Sequence, residues 1–292
     1  MITFQDICII IIINKQRIIK PYLDFGGNEL KILFIGDIFG NPGRRAVKEY
    51  VPQLRKELEI DFCIANGENS AAGSGITYII AQELYKSGVD CITMGNHTWS
   101  KKEVLNFIDS DDKIIRPANF PGKVPGRGYT ILRANNKELA VLNLMGRVYM
   151  DTIDCPFLVA ERELEEIKSR TKVVFVDMHA EATSEKSALA WYLDGRVCCL
   201  AGTHTHVQTA DERILPFGTA LITDVGMTGP YDGVIGVDKE LIIERFITRM
   251  PQKFDVAKGR VQFCAIYLEV DDKTGKSIKI ERIFKIFDEF QK

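Results

Sequence analysis

A repeated alternation of apolar run, polar cluster and helical segment constrains the fold of this chain more than any other feature. Residues 31–35, 62–65 and 90–94 are short apolar runs of the length expected for buried strands. The polar clusters that end them are Gly36-Asp37, Asn66-Gly67-Glu68-Asn69 and Gly95-Asn96-His97. Helically spaced apolar residues follow at 44–58, 77–87 and 101–108. The pattern predicts an α/β sheet with its polar clusters beyond the carboxyl ends of the strands, where open α/β sheets bind ligands.

The second half of the chain continues this pattern and adds strands. Predicted strands cover 139–144, 172–176, 197–201, a hairpin over 213–222, and a final pair over 261–270 and 277–286. Predicted helices cover 159–170, 184–193 and 239–250, with Thr77 and Ser184 as candidate N-caps. No linker or repeat interrupts residues 30–292, which are therefore predicted to form a single domain.

The first 29 residues do not fit the α/β pattern. Their apolar run, Ile7–Ile13, is shorter than the roughly 20 residues of a membrane span, and no basic segment of a signal peptide precedes it. Gly26-Gly27 stands where a ribosome-binding sequence would precede a TTG start codon at Leu30. We therefore expect residues 1–29 to be a non-native or disordered N-terminal extension. The alternative is a genuine extension of the protein that is poorly ordered.

Charge and cysteine content restrict the partners and the compartment. A net charge of -2 argues against nucleic-acid binding by bulk electrostatics. The seven cysteines are odd in number and form no C-x-x-C motif, so we expect buried free thiols in a reducing cytoplasm. A lone thiolate ligand or nucleophile is the alternative.

All four histidines lie in or beside polar clusters, together with carboxylate and carboxamide side chains. Seven candidate metal ligands result: Asp37, Glu68, Asn69, Asn96, His179, His204 and His206. One metal ion does not need seven protein ligands, whereas two ions that share a bridging carboxylate would use them well. Paired metal ions serve phosphoester cleavage, because they activate a water and neutralise charge on the phosphoryl group. Since no cluster contains a thiolate, a structural zinc site is disfavoured.

His97 is the candidate catalytic residue. It directly follows the presumed ligand Asn96 at the end of a strand. Consecutive residues point in different directions there, so Asn96 can hold metal while His97 faces substrate. A protonated imidazole can donate its proton to a departing alkoxide, which is the role of a general acid.

The order of these clusters resembles the calcineurin-like metallophosphoesterases, and most closely their YmdB-type bacterial branch. The resemblance covers about residues 30 to 290. Its motifs stand here at 35–40, 66–69, 95–99, 116–119, 179–186, 202–211 and 223–230.

This resemblance implies a four-layer α/β/β/α sandwich of two mixed sheets and a phosphodiesterase active on 2′,3′-cyclic nucleotides. A metal-bridging hydroxide would attack the phosphorus, with His97 as proton donor. One metal would be held by Asp37, Glu68, Asn69 and His206, and Glu68 would bridge to a second held by Asn96, His179 and His204. Iron is the expected metal, and manganese is a common substitute.

Two departures from the wider superfamily leave questions open. Phe39 stands where the superfamily has a histidine, a loss that the YmdB-type branch shares. Thr98 stands where a carboxylate often follows the Asn-His pair, so the group that orients His97 is open, with Glu103 the nearest acid in sequence. Arg116 and Asn119 are either substrate contacts or structural residues.

The sequence is also compatible with other functions. The same site could serve a broader phosphomonoesterase or a nuclease acting on RNA. A regulatory scaffold with a vestigial site is the non-enzymatic alternative. The sequence leaves homo-oligomer formation open and predicts no membrane partner.

Overall fold

The computed structural model describes residues 29–288, which fold around two β-sheets. The strands of the first sheet are β1 (Glu29–Ile35), β2 (Asp37–Ile38), β3 (Phe62–Asn66), β4 (Cys91–Thr93), β5 (Ile114–Ile115), β12 (Met227–Pro230), β13 (Val261–Asp271) and β14 (Lys276–Phe287). Those of the second are β6 (Tyr129–Ala134), β7 (Lys137–Met145), β8 (Val174–His179), β9 (Cys199–Thr203), β10 (Arg213–Ile214) and β11 (Ala220–Ile222). The helices are α1 (Gly40–Glu57), α2 (Tyr78–Lys86), α3 (Pro156–Lys168), α4 (Thr183–Tyr192) and α5 (Lys239–Thr248).

Both sheets are mixed. The first has the order β2-β12-β13-β1-β3-β4-β5, with β14 paired to β13, and the second has the order β10-β11-β9-β8-β7-β6. Strands β1, β3 and β4 are parallel neighbours, as are β7, β8 and β9. In the second sheet His179, the last residue of β8, pairs with Thr203, the last residue of β9. Parallel pairing therefore brings the polar clusters that follow these strands to shared sheet edges.

Three buried apolar clusters hold the layers together. One lies between the two sheets, where the rings of Phe34 and Phe175 have centroids 4.8 Å apart. The second joins the first sheet to α1 and α2 through residues such as Val47 and Leu84. The third joins the second sheet to α3 and α4 through residues such as Leu164. Fully buried strands explain why their sequences are continuous apolar runs rather than alternating ones.

The segment over 101–108, predicted to be helical, does not form an α-helix. Residues Lys102–Asn106 form a short 3₁₀ helix instead. Val104 donates to the Lys101 carbonyl and Phe107 to the Val104 carbonyl, both across three residues. This tighter turn places Val104 and Phe107 in the core together, because residues three apart share a face in a 3₁₀ helix.

Of the two predicted helix caps, one is confirmed and one is wrong. The Thr77 side chain accepts a hydrogen bond from the Ile80 amide at the start of α2. Helix α4 begins one residue earlier than predicted, after Ala182, and has no side-chain cap. The Ala182 carbonyl already accepts from the amides of Glu185 and Lys186, so Ser184 lies inside the first turn.

The predicted N-terminal extension lies almost entirely outside the described residues. Glu29, its last residue, pairs with Asp271 as the first residue of β1. Within the described chain six cysteines are free thiols, and all but Cys155 are buried; Cys8 lies outside it. No helix between residues 29 and 288 has the length and apolar character needed to cross a membrane.

Candidate metal centre

The polar clusters of both sheets meet around the carboxylate of Glu68. Its Oε1 atom lies 3.2 Å from Nε2 of His179 and 3.1 Å from Nδ1 of His97. Asn96 Oδ1 and His204 Nδ1 lie 2.9 Å and 3.1 Å from the same His179 Nε2 atom. Glu68 comes from the loop after β3 and His179 from the end of β8, so this cluster joins the two sheets.

A second group of predicted ligands lies beside the first. Asp37 Oδ1 is 3.8 Å from Nε2 of His206 and 3.9 Å from Nδ1 of His179. The other oxygen of Asp37 accepts from the His204 amide at 3.1 Å. Asn69 donates to the Gly73 carbonyl and lies 3.1 Å from His97 Nδ1. The structure thus brings together all seven predicted ligands and His97.

The chemistry of this cluster fits a bound metal. Donor atoms of Glu68, His179 and His204 lie within 4.8 Å of one another. Asp37 Oδ1 and Asn69 Oδ1 are buried and have no hydrogen-bond partner among residues 29–288. Buried polar atoms are rarely left unpaired, because doing so costs about 1–3 kcal/mol each. Carboxylate, amide oxygen and imidazole together suit first-row transition metals.

Burial and neighbouring charges shift the pKa values of three side chains in the cluster. Burial disfavours the charged form of Glu68, but His179 and His97 outweigh it and hold the pKa of Glu68 well below its usual value. Burial alone would lower the pKa of His179, yet the carboxylate of Glu68 raises it to about 9. Burial and the neighbouring His179 lower the pKa of His204 to about 3. Glu68 is therefore ionised and His204 neutral, the forms that bind metal, whereas His179 is protonated and would release a proton when metal binds.

A buried network below the cluster orients His179. Its Nδ1 atom lies 2.9 Å from the Thr203 hydroxyl, which donates to Asp177 at 2.7 Å. Asp177 also accepts from the side chains of Thr93 and Asn66. Because Nδ1 is held from this side, Nε2 faces the donor cluster. Sequence reasoning missed these supporting residues, although each lies at the carboxyl end of a predicted strand.

The loop that carries His204 and His206 is held by a buried ion pair. Both histidines have left-handed φ values, 103° and 67°. Asp224 accepts from the amide and hydroxyl of Thr205 between them, and Lys186 donates to Asp224 at 2.8 Å. The Glu181 carboxylate lies 3.1 Å from His204 Nε2. Neighbouring elements thus fix the strained loop in place.

The sequence and the fold both resemble those of known proteins. The family model of YmdB-like proteins matches residues 33–283. The chain belongs to the YmdB-like family.

Individual relatives extend this likeness. The chain is 56% identical over 254 residues to the 2′,3′-cyclic-nucleotide 2′-phosphodiesterase of Bacillus subtilis, covering 87% of this chain and 96% of that protein. A crystal structure described as a novel phosphatase of Mycoplasma pneumoniae is 36% identical, with a TM-score of 0.85 and coverage of 90% and 95%. The NAD nucleotidase of Haemophilus influenzae is 14% identical and has a TM-score of 0.56, over 89% of this chain and 56% of that chain. This likeness concerns the fold alone.

Three other residues considered from the sequence of this YmdB-like chain form hydrogen bonds outside the donor cluster: Glu103, Arg116 and Asn119. Glu103 accepts from the Tyr78 amide, whereas Glu68 and Asn69 are the residues that lie beside His97 Nδ1. Arg116 donates to four backbone carbonyls, and Asn119 bonds to the backbone of Met145 and Asp154. Arg116 and Asn119 therefore have structural roles here, and neither lines the cavity at the cluster.

A cavity of about 630 Å³ opens onto the donor cluster. Glu68, Asn69, His97, His204 and His206 form one part of its lining. A volume of this size is typical of sites for small molecules. The donor cluster is therefore accessible to a substrate of nucleotide size.

Proposed function

We propose that this chain is a metal-dependent phosphodiesterase that hydrolyses 2′,3′-cyclic nucleotides. The observation that carries the proposal is the position of Glu68, whose carboxylate contacts both His179 and His97 at the base of an open cavity. The Bacillus subtilis relative, 56% identical, bears the name of this activity.

We assign two metal positions to the cluster. Asp37, Asn69 and His206 would hold one ion, while Asn96, His179 and His204 would hold the other, with Glu68 shared. The unpaired oxygens of Asp37 and Asn69 support the first position, and the convergence of Glu68, His179 and His204 supports the second. When bound, two such ions activate a water and neutralise charge on the phosphoryl oxygens. Iron, with manganese as a substitute, suits these ligands.

His97 supplies the proton in this proposal. Glu68 and Asn69 lie beside its Nδ1 atom, which leaves Nε2 for a substrate in the cavity. The oxygen of a water forms a bond to phosphorus as that water loses a proton to solvent, the bond from phosphorus to the ribose 2′ oxygen breaks, and His97 protonates that oxygen. His97 then regains a proton from solvent. The product is a nucleoside 3′-monophosphate.

We further propose a four-layer arrangement of the fold and a cytoplasmic location for the protein. We assign the three apolar clusters to the interfaces of a four-layer α/β/β/α sandwich. The buried free thiols support a cytoplasmic location.

Replacing His97 tests the assignment of the acid. His97→Ala should retain metal, because His97 is not among the proposed ligands, and should lower kcat by about 10²–10⁴-fold. Turnover of a 2′,3′-cyclic nucleotide and metal content by mass spectrometry are measured on the same sample. Normal kcat with bound metal would remove His97 from the mechanism.

A substrate panel separates the proposed activity from the alternatives. Cyclic nucleotides, phosphomonoesters and a short RNA are compared on enzyme purified without oxygen and with its metal quantified. Preference for monoesters or RNA would favour the broader phosphatase or the nuclease. A protein that contains no metal and turns over none of them would favour the scaffold.

A further inference from the structure

The cavity at the donor cluster has a second part with different chemistry. Five of its lining residues have apolar side chains, and we call them the apolar wall: Phe39, Ile235, Val237, Phe254 and Val256. Hydrolysis of a phosphodiester requires no apolar surface. The apolar wall is therefore available to bind a part of the substrate that does not react.

The apolar wall is built from two chain segments that hold each other. Val237 and Val256 form a β-bridge. The Asp238 amide donates to the Asp255 carbonyl at 2.9 Å, and the Ala257 amide donates to the Gly236 carbonyl at 3.0 Å. These bonds fix the apolar wall as one unit.

A direct contact ties this unit to the metal centre. His206 Nδ1 lies 3.0 Å from the carbonyl oxygen of Ile235. The bond leaves His206 Nε2 for the metal side, where it faces Asp37 at 3.8 Å. The distance from the apolar wall to the donor cluster is therefore fixed by the fold.

Phe254 is the aromatic side chain of the wall that a ligand can reach. Phe254 is 41% exposed, whereas Phe39 is 5% exposed and packs edge-on against His206. The guanidinium carbon of Arg245 lies 4.8 Å from the centroid of the Phe254 ring. This cation–π contact covers the ring from one side and holds its orientation.

We infer that Phe254 is the stacking platform for the nucleobase of the substrate, with Ile235 and Val256 packing around the base. The inference rests on the proposed function. Because the ribose ring joins the base to the cyclic phosphate at a short distance, a nucleotide with its phosphate at the donor cluster can place its base against the apolar wall of the same cavity. Every base has a π-face, so stacking accepts all four bases with little discrimination.

The test compares two substrates that differ only in the base. These are adenosine 2′,3′-cyclic phosphate and the 2′,3′-cyclic phosphate of methyl β-riboside, and the readout is the ratio of their kcat/KM values. Stacking of one base contributes about 1–3 kcal/mol, so Phe254→Ala should lower this ratio about 5-fold to 150-fold. Phe254→Trp should restore it. Phe246→Ala, which removes a 70% exposed ring outside the cavity, is the matched control and should leave the ratio unchanged.

A binding measurement separates the failure of this inference from the failure of the proposed function. Calorimetry on manganese-loaded protein compares adenosine 3′-monophosphate with methyl β-riboside 3′-phosphate, without any need for turnover. A preference for the adenosine ligand that Phe254→Ala abolishes supports stacking, even in a protein that hydrolyses no cyclic nucleotide. An unchanged ratio and unchanged binding in Phe254→Ala would overturn the inference, while hydrolysis by the wild type would leave the proposed function intact.

Discussion

At the scale of single residues, the buried ion pair of Lys186 and Asp224 supports the loop that carries two proposed metal ligands. Both side chains are almost fully buried, and their charged atoms lie 2.8 Å apart. Asp224 also holds Thr205, between two of the proposed metal ligands. A buried charge without its partner is strongly destabilising, because water no longer solvates it. One lysine on α4 thereby supports the loop that carries His204 and His206.

Lys186→Met should destabilise the protein by about 3–5 kcal/mol, because the Asp224 carboxylate would remain buried without a cation. Urea unfolding at neutral pH measures the loss. The control Lys279→Met breaks an exposed pair with Glu281 and should change stability by less than about 1 kcal/mol. Adding Asp224→Asn to Lys186→Met should recover part of the loss. Equal effects of Lys186→Met and the control would show that the buried pair has no special role.

At the scale of elements, helix α1 packs unusually close to strand β12. A Cβ atom on Gly43 would lie 2.3 Å from the Thr228 carbonyl oxygen and 3.2 Å from the Ile38 side chain. Helix α1 begins directly after Phe39, which contacts His206. The helix therefore sets the position of one side of the metal centre. Strands β2 and β12 have two and four residues, too few for periodicity to predict them.

Gly43→Ala should destabilise the protein by about 1–3 kcal/mol, as overpacking does. Helix propensity alone predicts the opposite sign, because alanine is favoured over glycine by up to about 1 kcal/mol. The pair Gln53→Gly and Gln53→Ala, at an exposed position of the same helix, gives the difference in propensity between glycine and alanine without the collision. Stabilisation by Gly43→Ala in chemical unfolding would mean that α1 can move away from β12 at little cost.

At the scale of the whole molecule, the donor cluster joins the two sheets. Asp37, Glu68 and Asn96 follow strands of the first sheet, whereas His179 and His204 lie at strand ends of the second. A metal ion held by both sets would bind the folded chain and not the unfolded one. Metal binding and folding stability should therefore be coupled.

Removal of metal with a chelator should lower the Tm, and added manganese should restore it. At a free metal concentration of 100 Kd, binding contributes about 2.7 kcal/mol, and each kcal/mol shifts Tm by about 2–4 °C for a domain of 150–250 residues. Calorimetric scans of wild type and Glu68→Ala with and without metal provide the measurement. Glu68→Ala should lose both metal and this response. A full response in Glu68→Ala would contradict the shared role of Glu68.

The sequence by itself determined which residues end the strands and what chemistry they carry. Apolar runs that precede Asp37, Glu68, Asn96 and His179 predict buried strands, because strand length and burial are local properties of the sequence. Parallel strands bring their carboxyl ends to one edge of a sheet, where these polar residues then lie. Clusters distant in sequence were therefore expected together, and the structure brings them together. The same local signals predicted the Thr77 cap and the final strand pair.

Only the tertiary structure decided which residues support the cluster and what faces it. Glu68, not Glu103, lies beside His97; Thr203 and Asp177 hold His179; and Phe254 lines the cavity. These contacts join segments far apart in the chain, and their distances depend on the packing of two sheets and on loop conformation. No local spacing encodes that packing, because it results from the burial of many side chains at once.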